Sequence, residues 1–277
     1  MINNSGGVMS KQMVFVKFGG SSITNPQKPL VAEKEVIKRL FREVTEARLL
    51  RDFDVIIGHG SGSFGHIPSK KYKLNEEGLK NSESLLGSTI TEQEVAQLHM
   101  IVMEVALKEN IPVFSFSPHT LGMATNLKFH IAYEDHIKNA IRFGFIPVMY
   151  GDIVIDSERG VADISTEEVL KALSFKIRPD VVVISTDVDG LFSRNPKTNK
   201  DTKLIKLVDS NNIEDALACA DSSTKVDSTG GMKTKVLSLF ETVKATGAVG
   251  YITNANRTGA LKDVLLGKDA ECTVFRP

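Results

Sequence analysis

Lysines beside glycines mark the places where this chain could do chemistry. Lys17 closes an apolar run, Met13 to Phe18, and is followed by Gly19-Gly20-Ser21-Ser22. A second run, Val55-Ile56-Ile57, stops within DVIIGHGSGSFGH, Asp54 to His66. Glycines at 58, 60, 62 and 65 let successive backbone N–H groups converge without Cβ obstruction, and such nests hold phosphate. A lysine at a strand end beside them can reach the terminal phosphates of a nucleotide. An ordinary tight turn between a strand and a helix has the same composition, so one glycine cluster is weak; two, one with a lysine on its strand, are stronger.

The C-terminal half repeats the theme. Asp227-Ser228-Thr229-Gly230-Gly231-Met232 opens a helical pattern with Lys233 and Lys235 in its first turn. Cations there oppose the helix macrodipole, and an external anion would remove the conflict; lysines turned to water would do so too. Ser165-Thr166-Glu167-Glu168 has the form of a capping box whose positive end could face an anion. In Thr186-Asp187-Val188-Asp189-Gly190 two carboxylates could orient lysines or an Mg²⁺-bound phosphate, although Asp and Gly after a strand also simply make turns. His99 lies beside an apolar stripe and reads as a hydrogen-bonded packing residue. Met123, Phe129 and Tyr133 could line an apolar cavity or fill the core.

These residues need elements to position them. Short apolar strands are expected at Met13–Phe18, Val55–Ile57, Val113–Phe116, Ile146–Tyr150, Val181–Ser185, Val249–Thr253 and Cys272–Phe275. Helical periodicity runs through Glu33–Arg51, from a capping box at Thr91-Glu92-Gln93-Glu94 to Pro112, and through Glu134–Phe143. It returns from Ser165 to Phe175, after Gly231, and at Leu261–Leu266. Pro68 to about Gly87 has weak periodicity and takes no assignment, and Arg194–Asn212 reads as loop. The alternation argues a doubly wound fold: a three-layer αβα sandwich with a mainly parallel central sheet and ligand loops at the carboxyl ends of its strands. Residues 1–11 read as a disordered tail, and 12–277 as one fold with lobes at about 12–178 and 179–277.

Composition narrows the partners. With 277 residues and 42% apolar content the chain can bury a real core, and Lys plus Arg balance Asp plus Glu at 34 each. No global field draws it to nucleic acid or to a membrane surface, so phosphate binding must be local. Cys219 and Cys272 lack CxxC spacing and read as reduced thiols, and no metal-ligand set is visible. No apolar run reaches membrane-span length and MINNSGGVMSKQ lacks the apolar centre of a signal peptide, so a cytoplasmic protein is expected.

Together KFGGSSIT (17–24), GHGSGSFGH (58–66), YGD (150–152), TDVDG (186–190) and DSTGGMKTK (227–235) resemble the amino acid kinase superfamily over nearly the whole chain. The histidine closing SFGH and the DSTGGM entry look most like its isopentenyl phosphate kinase branch, with fosfomycin kinase a near relative. The resemblance implies ATP and Mg²⁺, a homodimer, and transfer of the γ-phosphoryl group to isopentenyl phosphate for isoprenoid synthesis. It implies that Lys17, Gly19, Gly20, Ser21, Gly62, Gly230, Gly231 and Lys235 hold the ATP phosphates, with Thr186, Asp187, Asp189 and Gly190 near the nucleotide. Gly60, Ser61, Gly62, His66, Gly151, Asp152, Ser165 and Thr166 would face the acceptor, His66 as a hydrogen-bonding positioner.

The chain departs from the pattern in three places. Ser61 stands where the family has a middle glycine, and STEE (165–168) replaces SGDD, so that Glu167 falls where an aspartate organises the phosphate lysines. Asn25-Pro26 stands where ITDK supplies a transition-state lysine, for which Lys28 is the expected substitute. These departures keep two other readings in view. One is a kinase of the same fold for another phosphate, phosphonate or carboxylate, such as fosfomycin or acetylglutamate; the other is a ligand-binding regulator without catalysis.

Overall fold

Strand β1 (Gln12–Phe18) sorts its side chains with period two. Val14, Val16 and Phe18 join one buried cluster, and Phe15 joins another on the opposite face. The computed structural model describes residues 11–221 and 231–277; residues 1–10 of the expected tail and the stretch Asp227 to Gly230 lie outside them, while Lys11 pairs with Asp52 at 2.8 Å. After β1 come α1 (Gly20–Ile23), α2 (Lys34–Leu50), β2 (Phe53–His59), α3 (Gly62–Lys71), α4 (Leu74–Glu77), α5 (Ser82–Lys108) and β3 (Val113–Ser115). Next are α6 (Pro118–Leu121), β4 (Gly122–Thr125), β5 (Lys128–Ile131), α7 (Glu134–Arg142), β6 (Ile146–Tyr150), β7 (Asp152–Asp156) and β8 (Gly160–Ile164). Then follow α8 (Thr166–Ser174), β9 (Val181–Thr186), β10 (Leu207–Val208), α9 (Ile213–Asp221), α10 (Gly231–Thr246), β11 (Val249–Asn254), α11 (Ala260–Leu265) and β12 (Thr273–Phe275).

Eight strands form the central sheet in the order β10-β12-β11-β9-β1-β2-β6-β3, and every neighbouring pair is parallel except β11 with β12. Helices α2, α5 and α11 bury Phe41, Leu98 and Leu261 against one face. The other face carries α7, α8, α9 and α10 together with a small sheet, β5-β4-β7-β8. The αβα sandwich expected from the alternation is the observed architecture. From β1 the chain moves outward on one side through β2 and β6, and later on the other through β9 and β11. The carboxyl ends of β1, β2 and β9 therefore open onto a crevice where the strand order reverses, the place where doubly wound sheets hold ligands.

Three local expectations are corrected. Helix α5 starts well before Thr91: Asn81 Oδ1 accepts from Ser84 N at 2.9 Å while Ser84 Oγ accepts from Asn81 N at 3.1 Å, and Thr91 sits mid-helix, donating to Gly87 O at 2.7 Å. The glycine-rich loop is shorter than its composition suggests. Parallel pairing of Lys17 with Gly58 and of Phe18 with His59 carries β2 through the first glycine, and α3 begins at Gly62, so His66 stands on a helix that also accommodates Pro68. Finally, Phe129 is core, whereas Met123 and Tyr133 are exposed; none of the three lines the cavity described below.

Candidate active site

A cavity of about 910 Å³ opens at the order reversal. Its wall takes Lys17 from the end of β1, Gly20 and Ser21 from α1, and Gly60, Ser61, Gly62, Ser63 and His66 from the end of β2 and the start of α3. Ser165, Thr166 and Glu167 enter from the start of α8, and Gly231 and Lys235 from α10. The structure thus gathers residues far apart in sequence into one site. The first turns of α3 and α8 both open onto it, bringing the positive ends of their dipoles and backbone N–H groups to one space. Ser165 caps α8, its hydroxyl accepting from Glu168 N at 3.2 Å.

Close approach of two backbones explains the key glycines. A Cβ on Gly20 would sit 2.5 Å from Gly62 N, and Gly62 has φ +51°, where a side chain is strained. Thr24 stitches the two segments: its hydroxyl donates to Gly20 O at 2.9 Å and accepts from Ser63 N at 3.0 Å. The amides of both therefore keep a fixed relation to the cavity.

Electrostatics set the character of the site. Lys17 and Glu167 form a buried ion pair, with 6% of each side chain exposed. Burial alone would raise the Glu167 carboxyl, but Lys17 and then Lys235 reverse that and hold it down at about 2. Glu167 stays ionised and holds the Lys17 ammonium, while Lys235, whose Nζ donates to Gly231 O at 3.2 Å, acts on it through its charge. Asp163, also in the wall, has no such cation pair: burial pushes its carboxyl up against weaker pulls from Ser69 and His66.

Behind the glycines, His59 Nε2 meets His99 Nδ1 at 2.9 Å and His99 Nε2 meets Ser115 Oγ at 2.7 Å. Burial lowers His59 to about 4 and His99 to about 2, so both are neutral at pH 7. His99 is, as expected, a packing residue. The pair backs the wall, and neither ring lines the cavity.

Several expected site residues stand elsewhere. Lys28 is exposed and outside the wall; its N–H donates to Asn25 Oδ1 at 3.1 Å, and Pro26 occupies the wall instead. Gly151 packs behind Thr166, where a Cβ would lie 3.0 Å from Thr166 N. Asp152 is 1% exposed and turned from the cavity, accepting from Ile153 N at 2.8 Å and facing His119 Nδ1 at 2.7 Å. Its own pleat aims it away, because consecutive strand residues point to opposite faces. With His119 and Glu92 it forms a separate ionisable cluster.

Gly19 N donates to Ser185 O at 2.7 Å, locking the turn rather than lining the cavity. Thr186 is buried, Asp187 pairs with Lys197, and Asp189 accepts from Asn254 Nδ2 at 3.1 Å, while Gly190 abuts Thr273. These four organise the loop after β9 and stand outside the wall. Gly230 lies outside the described residues.

The wall also holds residues that sequence reasoning passed over: Thr24, Asp163, Asn195, Thr198, Ile67, Lys70 and Lys71. For Lys70 a signal existed. It follows His66 by one helical turn, which becomes visible once 62–71 is read as helix.

The family profile described as the amino acid kinase family matches residues 12–254. This chain belongs to the amino acid kinase family. Among curated members, isopentenyl phosphate kinase of Methanothermobacter thermautotrophicus is 31% identical over 269 residues, covering 94% of this chain and 98% of the relative. The enzyme of the same name from Methanocaldococcus jannaschii is 28% identical, covering 92% and 96%. A solved isopentenyl phosphate kinase superposes with a TM-score of 0.80 at 28% identity, over 95% of this chain and all of that one. A solved substrate complex of an isopentenyl phosphate kinase gives 0.77 at 26%, over 96% of this chain and all of that one. The UMP kinase of Ureaplasma parvum, at 15% identity and 0.67, shares the amino acid kinase fold.

Proposed function

We propose that this chain transfers the γ-phosphoryl group of ATP to isopentenyl phosphate, releasing ADP and isopentenyl diphosphate. The observation that carries the reading is that one cavity unites a lysine paired with an ionised glutamate, a second lysine that acts on the same carboxylate through its charge, two helix starts and a histidine. Such a transfer demands that two polyanions be aligned and their repulsion cancelled, and it needs little covalent help. Lys17 and Lys235 neutralise the transferring phosphates, with Glu167 fixing the Lys17 ammonium, and the amides around Gly20 and Gly62 accept the oxygens. His66 hydrogen-bonds the acceptor phosphate, whose ionised oxygen attacks without a general base.

Mg²⁺ fits this wall as a companion of ATP. Glu167 is committed to Lys17, and Asp163 is pushed towards its neutral form, so the nucleotide's own phosphates would supply the metal's oxygen ligands. The ion would spread the charge that develops between the β- and γ-phosphates. The runner-up acceptors, fosfomycin and acetylglutamate, gain no support from any one feature of the wall.

A homodimer suits the outer surface. Helix α5 exposes Leu86, Met100 and Leu107, and Phe114 is exposed on the edge strand β3, an apolar strip that a second copy would cover. Light scattering is expected to give twice the chain mass. Cys219 and Cys272 form no disulfide, in keeping with a reducing cytoplasm, and no helix among the described residues is long and apolar enough to cross a membrane.

The reading is tested by measuring ADP release from purified protein with ATP and isopentenyl phosphate, fosfomycin or acetylglutamate in turn. Turnover is expected with isopentenyl phosphate. Turnover with one of the others alone would replace the acceptor, and none at all with tight ATP binding would favour a regulator.

A further inference from the structure

Among the described residues, the charges deep in the cavity do not match two facing phosphates. Lys17 and Lys235 both act on the Glu167 carboxylate, so the three together carry one net positive charge. Pro26, on the wall beside Thr24, adds none. Among the described residues the wall has two further ammonium groups, Lys70 and Lys71, both near the end of α3. Lys71 lies over the Tyr72 ring, 4.7 Å from its centroid.

Lys70 differs from Lys71 in what it faces. It follows His66 by four residues, so the two side chains lie on one face of α3, and both reach the same cavity. Among the described residues Lys70 forms no ion pair, whereas Lys233, outside the wall, is 3.3 Å from Asp221. The last turn of a helix also suits a cation, so Lys70 sits there at no cost to α3.

We propose that Lys70 binds the phosphate of the acceptor, gripping with His66 the dianion that Lys17 and Lys235 leave uncompensated. The assignment rests on reading the cavity as a phosphoryl-transfer site. It makes α3 the acceptor-recognition helix, with amides at its start, an imidazole in its second turn and an ammonium in its third. The ligand class is a phosphate monoester carrying two negative charges. An acceptor with a single charge, a carboxylate for example, would gain less from this ammonium.

The test compares full-length wild type with Lys70→Met and Lys70→Arg, after thermal melts establish that all three are folded. For Lys70→Met the KM for isopentenyl phosphate is expected to rise about tenfold or more, with kcat and the KM for ATP within about threefold, the pattern of a lost ground-state contact. Lys70→Arg is expected to recover most of the loss, since it keeps the charge. Raising salt is expected to weaken isopentenyl phosphate binding more in wild type than in Lys70→Met. An unchanged KM for isopentenyl phosphate, or equal rises in both KM values, would overturn the assignment. If wild type makes no isopentenyl diphosphate, the functional reading fails on its own. Lys70 is then judged by calorimetric titration with inorganic phosphate, where equal affinity in wild type and Lys70→Met removes it as a phosphate ligand.

Discussion

Two buried polar pairs flank the same glycine segment, and they end in opposite charge states. On the cavity side Lys17 and Glu167 are both ionised; behind the wall His59 and His99 are both neutral. Burial works against charge in each. What separates them is an opposite charge within contact, which reverses the cost for Glu167 and is missing around the histidines. Lys17 acts on both sides, pulling the carboxyl down and adding to the fall of His59. Placing the charged pair on the cavity side directs its field towards a ligand, while the neutral histidines hold the sheet and glycine turn in place without competing for it.

The sharpest way to break this contrast is Lys17→Met. It strands Glu167 with Lys235 alone, and urea unfolding is expected to show a loss of about 3–5 kcal/mol, the usual penalty for orphaning one member of a buried pair. Turnover is expected to fall more than 100-fold, because a charge facing the transferring group is gone.

Next in size, Glu167→Gln is expected to lower kcat roughly tenfold to 100-fold by loosening Lys17, and it also separates the two pairs by pH. The folded Glu167 value, about 2, lies below its ordinary 4.5, so its stabilisation is complete above pH 4.5 and drains away as pH falls towards 2. Glu167→Gln is expected to flatten urea-midpoint curves in that window. The histidines titrate earlier. Their folded values of about 4 and about 2 lie below the ordinary 6.5, so the unfolded chain binds more protons as pH drops from 6.5, and stability falls from there. A His59→Asn, His99→Phe double variant is expected to flatten the region from pH 6.5 to 4.5, where Glu167 adds no slope, and to make the fall below pH 4.5 shallower without abolishing it, since His99 and Glu167 both titrate there. If one variant removed both slopes, the pairs would be a single coupled unit.

The smallest effect belongs to Ser115→Ala. It removes the hydroxyl facing His99 Nε2 and is expected to cost about 1 kcal/mol in urea, with both histidines still neutral and turnover unchanged.

Particular residues explain what the sequence disclosed. Gly20 and Gly62 were legible because close backbone approach forces a residue type, Lys17 because it stands at a strand end beside them, and Lys235 because a cation at a helix start suits an external anion. Thr91-Glu92-Gln93-Glu94 misled because a hydroxyl followed by a carboxylate also occurs inside helices, where Thr91 simply bonds back to Gly87. The helix that carries His66 and Lys70 stayed hidden because its first half reads as a glycine loop and the stretch from Pro68 has weak periodicity. The β4–β5 and β7–β8 hairpins left no signal strong enough to place them, and with them went the knowledge that Asp152 turns towards His119. Asn195, Thr198 and Asp163 reach the wall only through tertiary packing, and nothing in their local spacing announces it.

The account stands most directly on phosphorus-31 NMR of the purified protein with ATP, Mg²⁺ and isopentenyl phosphate. Wild type is expected to convert the monophosphate signal into the two coupled signals of a diphosphate as ADP appears, and Lys17→Met to leave it near its starting intensity. An unaltered monophosphate signal with wild type, or equal conversion by Lys17→Met, would contradict the claim that the paired charge in this cavity drives phosphoryl transfer.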